Sequence, residues 1–489
     1  NHNIGAMFVY SEEYWHTRST GASRNDRIHP STSEINSALT NVQSNSGSSA
    51  SEGLRSYIGR MNYSAYDKYL LEFSFRVDGS SKFIKGHQYG FFPTVAVGWR
   101  FTEEEFLKKY LSSWLSSGKL RASWGKLGDN SGVGRFEQLE TLTAMNYMSS
   151  DVVKGFVNKK MINKDLSWEV STDINVGLDL GFLNNRLRTE IDFYNRLRTG
   201  MNRPSQMSIH LTGAYSAPRA NIGDLLNRGL ELNLTWKDKI GNVEYSVNLN
   251  GAYNRTVLKE WNEFLSRGWV YLDMPYHFLY VYENNGIAQT WQDIYNNTPQ
   301  GLSPGDVIRK DLNGDGIIDG KDKKAYPNIQ RDRPTTTYGI TLQAAWKGFD
   351  ISMLFNGGLG RKDFWLTDFN NTAFADRRYA STWDHWTEPW SLENRGGEWP
   401  RLGTSTDRSD NSYWLYNMNY LRMKNIMLGY NLPKKLLSKI SMTNLRIYAS
   451  AENLFTVTQY PGLDPEKKNS ARDLYPINRS FSIGLNVSF

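Results

Sequence analysis

The chain contains no cysteine and only 15 prolines among its 489 residues. The missing cysteines exclude disulfide bonds, although both cell-envelope and cytosolic proteins can lack them. The scarcity of proline, beside 41 glycines and an aromatic content of 13%, favours strands and turns. With 39% hydrophobic and 22% charged residues, the composition is that of a folded chain rather than a disordered one.

Three further features are missing. No run of about 18 apolar residues is present, which excludes a helical membrane protein but not a β-barrel, in which only alternate strand residues face lipid. The 57 basic and 50 acidic residues are interspersed without a dense basic block, which argues against nucleic-acid binding. Residues 1–10 lack a basic stretch followed by an apolar core, so we expect that a signal peptide was removed or that the true N-terminus is missing.

Residue patterns that support enzymatic chemistry are also lacking. The seven histidines include no helix-borne pair with zinc-ligand spacing, and no glycine loop precedes a lysine as phosphate binding requires. The sequence GLSPG at 301–305 has the spacing of a nucleophile elbow, but Pro304 has no backbone N–H to offer to an oxyanion hole. We therefore predict that the chain is not an enzyme.

What is present is a two-residue alternation of apolar and polar side chains along the whole chain. Tyr69, Leu71, Phe73, Phe75 and Val77, for example, alternate with mostly polar residues after a turn at 66–68. Successive strand side chains point to opposite faces, so each such segment predicts a strand with one apolar face. We count roughly 14–16 strands of about ten residues, the length that a tilted strand needs to cross a bilayer. Residues 1–10 also predict a strand, and we expect its partner strands to lie outside this sequence.

The connections alternate in length. Short turns, such as residues 347–348, alternate with long loops that we predict at about 13–53, 259–334 and 360–412. Strands of this length and this alternation favour a membrane barrel over a soluble sandwich. Tryptophans near the ends of apolar rows fit the interfacial girdle of such a barrel. These are Trp99, Trp124, Trp236 and Trp346.

The last residues form the clearest local signal. Phe481, Ile483, Leu485, Val487 and Phe489 alternate with serine, glycine and asparagine, so that a strand ends on a terminal aromatic residue. This ending resembles the C-terminal signal by which outer-membrane barrels are recognised for assembly. We predict an all-β fold, a transmembrane antiparallel β-barrel with long extracellular loops that crosses the outer membrane many times and contacts its lipid.

Several phrases, in the same order, resemble the SusC/RagA-like TonB-dependent receptors across nearly the whole chain. They are SYIGRMNYS at 56–64, RVDGSSKF at 76–83, FPTVAVGWR at 92–100, LRASWG at 120–125, NRGLEL at 227–232, DLNGDG at 311–316 and YLRMKN at 420–425.

The resemblance implies a receptor with a barrel of about 22 strands and an N-terminal plug. It also implies a SusD-like surface lipoprotein that closes over the barrel, energy from the TonB complex, and a dimer of receptor–lipoprotein pairs as a larger assembly to consider. Residues 1–489 then form the C-terminal part of one barrel domain, without the plug, the TonB-contacting segment and the first strands. TonB would act through that N-terminal part.

One loop motif has the spacing of a calcium-binding loop. Asp311, Asn313, Asp315, Ile317 through its carbonyl, Asp319 and Asp322 stand at positions one, three, five, seven, nine and twelve. Position twelve is aspartate rather than the usual bidentate glutamate, and no helix signal flanks the motif. We predict calcium as the only cofactor, with a metal-free loop rich in Asx turns as the alternative.

We predict an active-transport receptor that imports glycans or oligopeptides. Trp383, Trp386 and Trp390 lie in a long aromatic loop and are candidates for contact with the ligand or the lid, although a loop that packs its own rings together fits equally well. The alternatives are a passive porin or surface adhesin barrel, and a soluble carbohydrate-binding β-protein.

Overall fold

The computed structural model describes residues 2–26, 29, 31–38, 43–111, 114–148, 152–158, 160–212, 217–263, 271–276, 278–364, 388–401, 411–437, 442–467 and 476–488. Within these residues, fourteen strands form one antiparallel sheet, and each pairs with the next of the fourteen along the chain. They are β1 (His2–Arg24), β2 (Gln43–Ala65), β3 (Tyr69–Ser80), β4 (Tyr89–Trp99), β5 (Leu115–Asp129), β8 (Glu169–Phe182), β9 (Leu187–Thr199), β12 (Asp224–Ile240), β13 (Val243–Glu260), β18 (Thr336–Trp346), β19 (Phe349–Leu359), β22 (Tyr420–Asn431), β23 (Asn444–Thr458) and β24 (Ser480–Ser488). The predicted number of strands is confirmed.

The other described elements lie in the connections. The short strands are β6 (Leu142–Met148), β7 (Val152–Asn158), β10 (Asn202–Pro204), β11 (Arg219–Asn221), β14 (Phe278–Tyr282), β15 (Asn284–Ile287), β16 (Val307–Arg309), β17 (Lys323–Gln330), β20 (Lys362–Phe364) and β21 (Leu415–Asn417). The α-helices are α1 (Glu105–Leu111), α2 (Ile209–Thr212), α3 (Trp291–Tyr295) and α4 (Lys434–Leu437), and single 3-10 turns span Ile35–Ser37, Phe101–Glu103, Gly320–Asp322 and Ser412–Trp414. No described helix has the length and apolarity needed to cross a membrane.

The sheet has an apolar face and a polar face because the strand registers keep the alternation in phase. Tyr10 on β1 lies opposite Tyr57 on β2, which lies opposite Val77 on β3 and then Phe91 on β4. One register step further along, a Cβ on Gly59 would lie 2.3 Å from the Phe75 ring, so only glycine leaves room for that ring. A shift of one residue in any strand would break such rows, because it would move every side chain to the other face.

The apolar face is strongly exposed in the isolated chain. Ile483 has 85% and Phe481 72% of its surface exposed, and Leu485 is exposed as well. Each Å² of apolar surface in water costs about 25 cal/mol, and soluble proteins rarely leave large contiguous apolar patches open. This face therefore needs an apolar surrounding, as the lipid-facing wall of a barrel has. Phe489 of the predicted assembly strand lies outside the described residues.

The two ends of the sheet differ. At the turn end, β12–β13 and β18–β19 are joined by two residues each, and Trp236 and Trp346 lie on the apolar face beside these turns. Lys347 and Gly348 both have positive φ, 46° and 91°, as a tight hairpin whose twist matches its strands requires. At the loop end, β13–β18 and β19–β22 are joined by long segments that contain the short strands of the connections.

The long loop predicted at 13–53 is wrong. β1 and β2 continue as a paired hairpin up to the pair Arg24 and Gln43, while β3 stops pairing with β2 at Leu54. The paired segments 14–24 and 43–53 therefore extend beyond the end of β3. Serine, glycine and threonine dominate there, and residues 14–23 and 44–49 are exposed whichever face they lie on. Without a buried face there is no apolar alternation, and the sequence resembles a loop.

A charged side chain introduced on the apolar face of β24 should destabilise the protein more than one introduced on its polar face. We expect Leu485→Arg to lower the free energy of unfolding by roughly 2 kcal/mol or more, because Leu485 lies in the middle of β24 and faces outward into the apolar band. Asn486→Arg is the matched control, since this neighbour lies on the polar face. Urea unfolding of the full receptor in lipid vesicles measures both, and equal losses would contradict the assignment of faces.

Candidate functional site

The polar face holds a recess of about 700 Å³ formed by strands β1 to β5 and β8. Its lining carries both signs of charge together with amide and hydroxyl groups. The charged members are Arg60, Glu72, Lys119 and Arg121. A surface of this kind can hydrogen-bond a polar solute and stays wetted, as the lumen wall of a transport barrel requires.

Arg121 is the centre of an ion-pair network on this face. Its Nη2 donates to Asp179 Oδ1 at 2.7 Å and to Asp192 Oδ2 at 2.9 Å, so that one guanidinium joins β5, β8 and β9. It crosses β8 over Gly177, where an added Cβ would lie 2.7 Å from the guanidinium carbon and 2.5 Å from Asp192 Oδ1. Gly177 therefore keeps the path open, and the alternating charges hold the wall in a fixed arrangement.

A second recess of about 340 Å³ lies further along the polar face and is acidic. Glu190, Asp192 and Glu231 line it with Asn233 and Asn250. The Asn233 amide donates to Glu190 at 3.3 Å. The two recesses thus differ in charge, one mixed and the other acidic.

Two buried arginines tie the loop end together. Arg361 donates to the carbonyls of Pro465, Glu466 and Lys467, each at 3.1 Å. Arg422 donates to Asp464 at 2.9 Å and also to Glu466. Because both guanidinium groups are almost without solvent, these bonds fix the segment after β23 against the inner side of β19 and β22.

The glutamate of this network faces the polar side of the sheet. Glu466 accepts hydrogen bonds from Asn356 on β19 at 2.9 Å and from the Tyr420 hydroxyl at 2.8 Å. The segment 464–467 is therefore part of the inner lining at the loop end.

The aromatic loop region packs largely against itself. Leu279, Val281, Phe364 and Trp414 form a buried cluster, against which Trp399 packs. Trp390 is only 6% exposed, and its indole N–H donates to Gln289 at 2.8 Å. Little of the Trp390 ring is therefore accessible to a ligand. Its predicted contact with the ligand or the lid stays a prediction. Trp383 and Trp386 lie outside the described residues.

The predicted calcium loop uses its carboxylates on its own backbone. Asp311 accepts from the N–H groups of Gly314 at 2.7 Å and Gly316 at 2.9 Å, and Asp315 accepts from that of Ile317. Asn313 and Asp319 accept backbone N–H groups in the same way. These are the bonds of a loop rich in Asx turns.

Asp322 closes this loop and is fully buried. It accepts from the N–H of Asp319 at 2.8 Å and from that of Leu312 at 2.9 Å. The hydrogen bonds from these backbone N–H groups hold the pKa of the Asp322 carboxyl below its ordinary value, and the bond from Asp319 has the largest effect. Among the described residues, no three His, Cys, Asp or Glu side chains converge as a metal ion needs. Calcium binding by this loop stays a prediction from spacing.

The comparisons with known proteins agree with the two-faced antiparallel sheet. The family model described as TonB dependent receptor-like, beta-barrel matches residues 2–300, more than half of the chain. The chain belongs to this family. The predicted outer-membrane barrel and the predicted resemblance to SusC/RagA-like receptors are thereby confirmed. The apolar face is the lipid-facing face of the barrel, and the polar face is its lumen wall.

Two curated members of the TonB-dependent receptors are 30% identical to this chain: receptor P3 of Formosa agariphila and SusC of Bacteroides thetaiotaomicron. Each match covers 89% of this chain but only 45% of P3 and 44% of SusC, so the chain spans about half the length of these relatives. Both are named receptors rather than enzymes, in line with the prediction that the chain catalyses no reaction.

Solved structures agree on the fold. The RagAB peptide transporter superimposes on the whole chain with a TM-score of 0.83 at 23% identity, and 53% of that chain is covered. The RagAB peptide importer in its closed-closed state gives 0.81 at 23% identity over 54% of its chain. At this identity the likeness establishes the barrel fold of this chain.

Sequence reasoning missed both arginine networks. The alternation of apolar and polar residues is enough to predict that Arg121 and Arg422 lie on the polar face. It does not predict their ion-pair partners, because Asp179 lies 58 residues from Arg121 and Asp464 lies 42 residues from Arg422 along the chain. Only the strand order brings these groups together.

The buried network predicts a large effect of removing one charge. We expect Arg422→Gln to lower the free energy of unfolding by about 3–5 kcal/mol, because Asp464 and Glu466 lose their buried partner. Arg60→Gln is the control, since the Arg60–Glu72 pair is exposed and is worth about 1 kcal/mol or less. Urea unfolding in detergent micelles compares them, and similar losses would contradict the structural role of Arg422.

The Asp322 loop predicts a defined pH dependence. A carboxyl whose folded pKa is lowered stabilises the loop above its unfolded pKa of about 4, and this contribution is lost as the pH falls through the folded value. We therefore expect the amides of Leu312 and Asp319 to lose protection from hydrogen exchange below about pH 4, while strand amides of β17 keep theirs. In Asp322→Ala, which removes both acceptor oxygens, these two amides should exchange fast at every pH. Unchanged protection in that variant would refute the assignment.

Proposed function

We propose that this chain forms part of the wall of a TonB-dependent receptor that imports a glycan or an oligopeptide through the outer membrane. The observation that carries the proposal is the two-faced sheet, which combines an exposed apolar face with a polar face that holds recesses of about 700 and 340 Å³. The energy would come from the TonB complex of the inner membrane. A surface lipoprotein of the SusD type would close the loop end.

The loop end supports the lidded arrangement. The buried core around Trp414 and the bonds of Arg361 hold its segments in one shape, and a lid needs such a preformed surface to dock on. The mixed charges of the larger recess suit the charged termini of peptides, whereas its amides and hydroxyls suit sugars as well. RagAB is a peptide importer by name, which makes peptides a class to test first.

Uptake by living cells separates the ligand classes and the modes of transport. In a strain that lacks the full receptor, restoring the gene should restore import of labelled oligopeptides or oligosaccharides, and removal of TonB should abolish it. We expect Arg121→Ala to reduce import severalfold, because the wall network at the recess is lost, while Arg55→Ala on the apolar face leaves import unchanged. Import that persists without TonB would instead identify a passive porin.

Copurification tests the partner. Mild detergent extraction of the native receptor, followed by mass spectrometry, should recover a surface lipoprotein in a stoichiometric amount. A lone barrel would favour the porin or adhesin alternative, and recovery in the soluble fraction would refute the membrane assignment.

A further inference from the structure

Two arginines lie side by side on the lipid-facing surface. Arg228 on β12 is directly opposite Arg255 on β13, in the row next to Leu230 and Tyr253. Alternation places both arginines on the same face as these two apolar residues. Side chains directly opposite in an antiparallel pair have Cβ atoms about 5 Å apart, and like charges at that distance destabilise the pair.

Arg228 and Arg255 lie near the outer boundary of the hydrophobic core of the membrane. Arg228 lies eight residues before Trp236, which marks the turn end of the apolar face. At about 3.3 Å per residue and a tilt of 35–45°, these eight residues rise roughly 20 Å, against an apolar band of about 25 Å. The arginine backbones thus lie about 5 Å inside the loop end of the band, so that their long side chains can reach the lipid headgroups, and Tyr253 lies just below them as interfacial aromatics do.

No carboxylate in the described part of the chain balances these charges. Arg228 donates from Nε to the side-chain oxygen of Asn195 at 2.8 Å, which is a neutral partner. Arg255 makes no hydrogen bond or ion pair within the described residues, and its Nε is buried without an acceptor. Arg55, on the same face at β2, shows the contrast, because its Nε donates to Glu12 at 2.6 Å.

We propose that Arg228 and Arg255 bind the phosphate of a phosphorylated lipid in the outer leaflet. Guanidinium groups bind phosphate through paired N–H donors, and an anion between them removes the repulsion of the pair. Asn195 adds its amide N–H₂ as a donor, because its oxygen already accepts from Arg228. The acyl chains then lie against Phe193 and Leu230, the apolar residues of the next row.

Lipid retention tests the site in the full receptor. The double variant Arg228→Gln/Arg255→Gln and the control Arg55→Gln/Arg60→Gln change the net charge equally, but the control leaves the site intact. Native mass spectrometry after delipidation and addition of phosphate-bearing lipid A measures occupancy. We expect a loss of roughly tenfold or more in the double variant alone, since each arginine near an anionic surface contributes substantially to lipid binding.

Three results would overturn the proposal: equal occupancy in the double variant and the control, equal retention of dephosphorylated lipid A, or binding of inorganic phosphate to the delipidated receptor with the same affinity as the lipid. A shift in gel mobility between heated and unheated samples shows that each variant is folded, so that a loss of lipid cannot be attributed to misfolding.

Discussion

Backbone hydrogen bonding in a medium without water is the constraint on which this structure depends. Every N–H and C=O group inside hydrocarbon needs a partner from the protein, and neighbouring strands supply it when they pair along their length. The fourteen-strand order without crossovers is a direct solution, since each strand pairs with the next long strand of the chain. Once pairing is continuous, the two-residue alternation decides which side chains meet lipid and which meet water.

Charge follows the same division. On the lumen side, arginines are balanced by acidic groups on neighbouring strands, as Arg121 is by Asp179 and Asp192. At the loop end, Arg361 and Arg422 are buried and are satisfied by carbonyls and carboxylates of one segment after β23. Buried charges of this kind are costly unless all their partners are present, so they specify one position for that segment rather than many.

The sequence predicted the fold well where one face of a strand is apolar. The rows at β3 and β24 were readable because lipid contact imposes a strict alternation, and the short turn at 347–348 marked its hairpin. The outer half of the β1–β2 hairpin was not readable, because neither of its faces is buried and serine-rich strands resemble loops.

The site was less predictable for two reasons. The spacing of Asp311 to Asp322 is equally compatible with metal ligands and with acceptors for backbone N–H groups, and only the local conformation distinguishes these uses. Trp390 was recognisable as an aromatic loop residue, but its burial against Gln289 depends on a contact more than 100 residues distant. Long-range partners of this kind leave no periodic trace.

The outer part of the β1–β2 hairpin lies at the loop end of the sheet, outside the rows that face lipid. Its paired segments 14–24 and 43–53 add about 36 Å of ladder beyond the end of β3, at 3.3 Å per residue. Arg135 braces its base through Thr17 and Glu52. Because the backbone of these segments is paired along its length, anything that approaches this end of the sheet meets a two-stranded ribbon rather than an open loop, and the lipid-facing pair of Tyr10 and Tyr57 lies outside it.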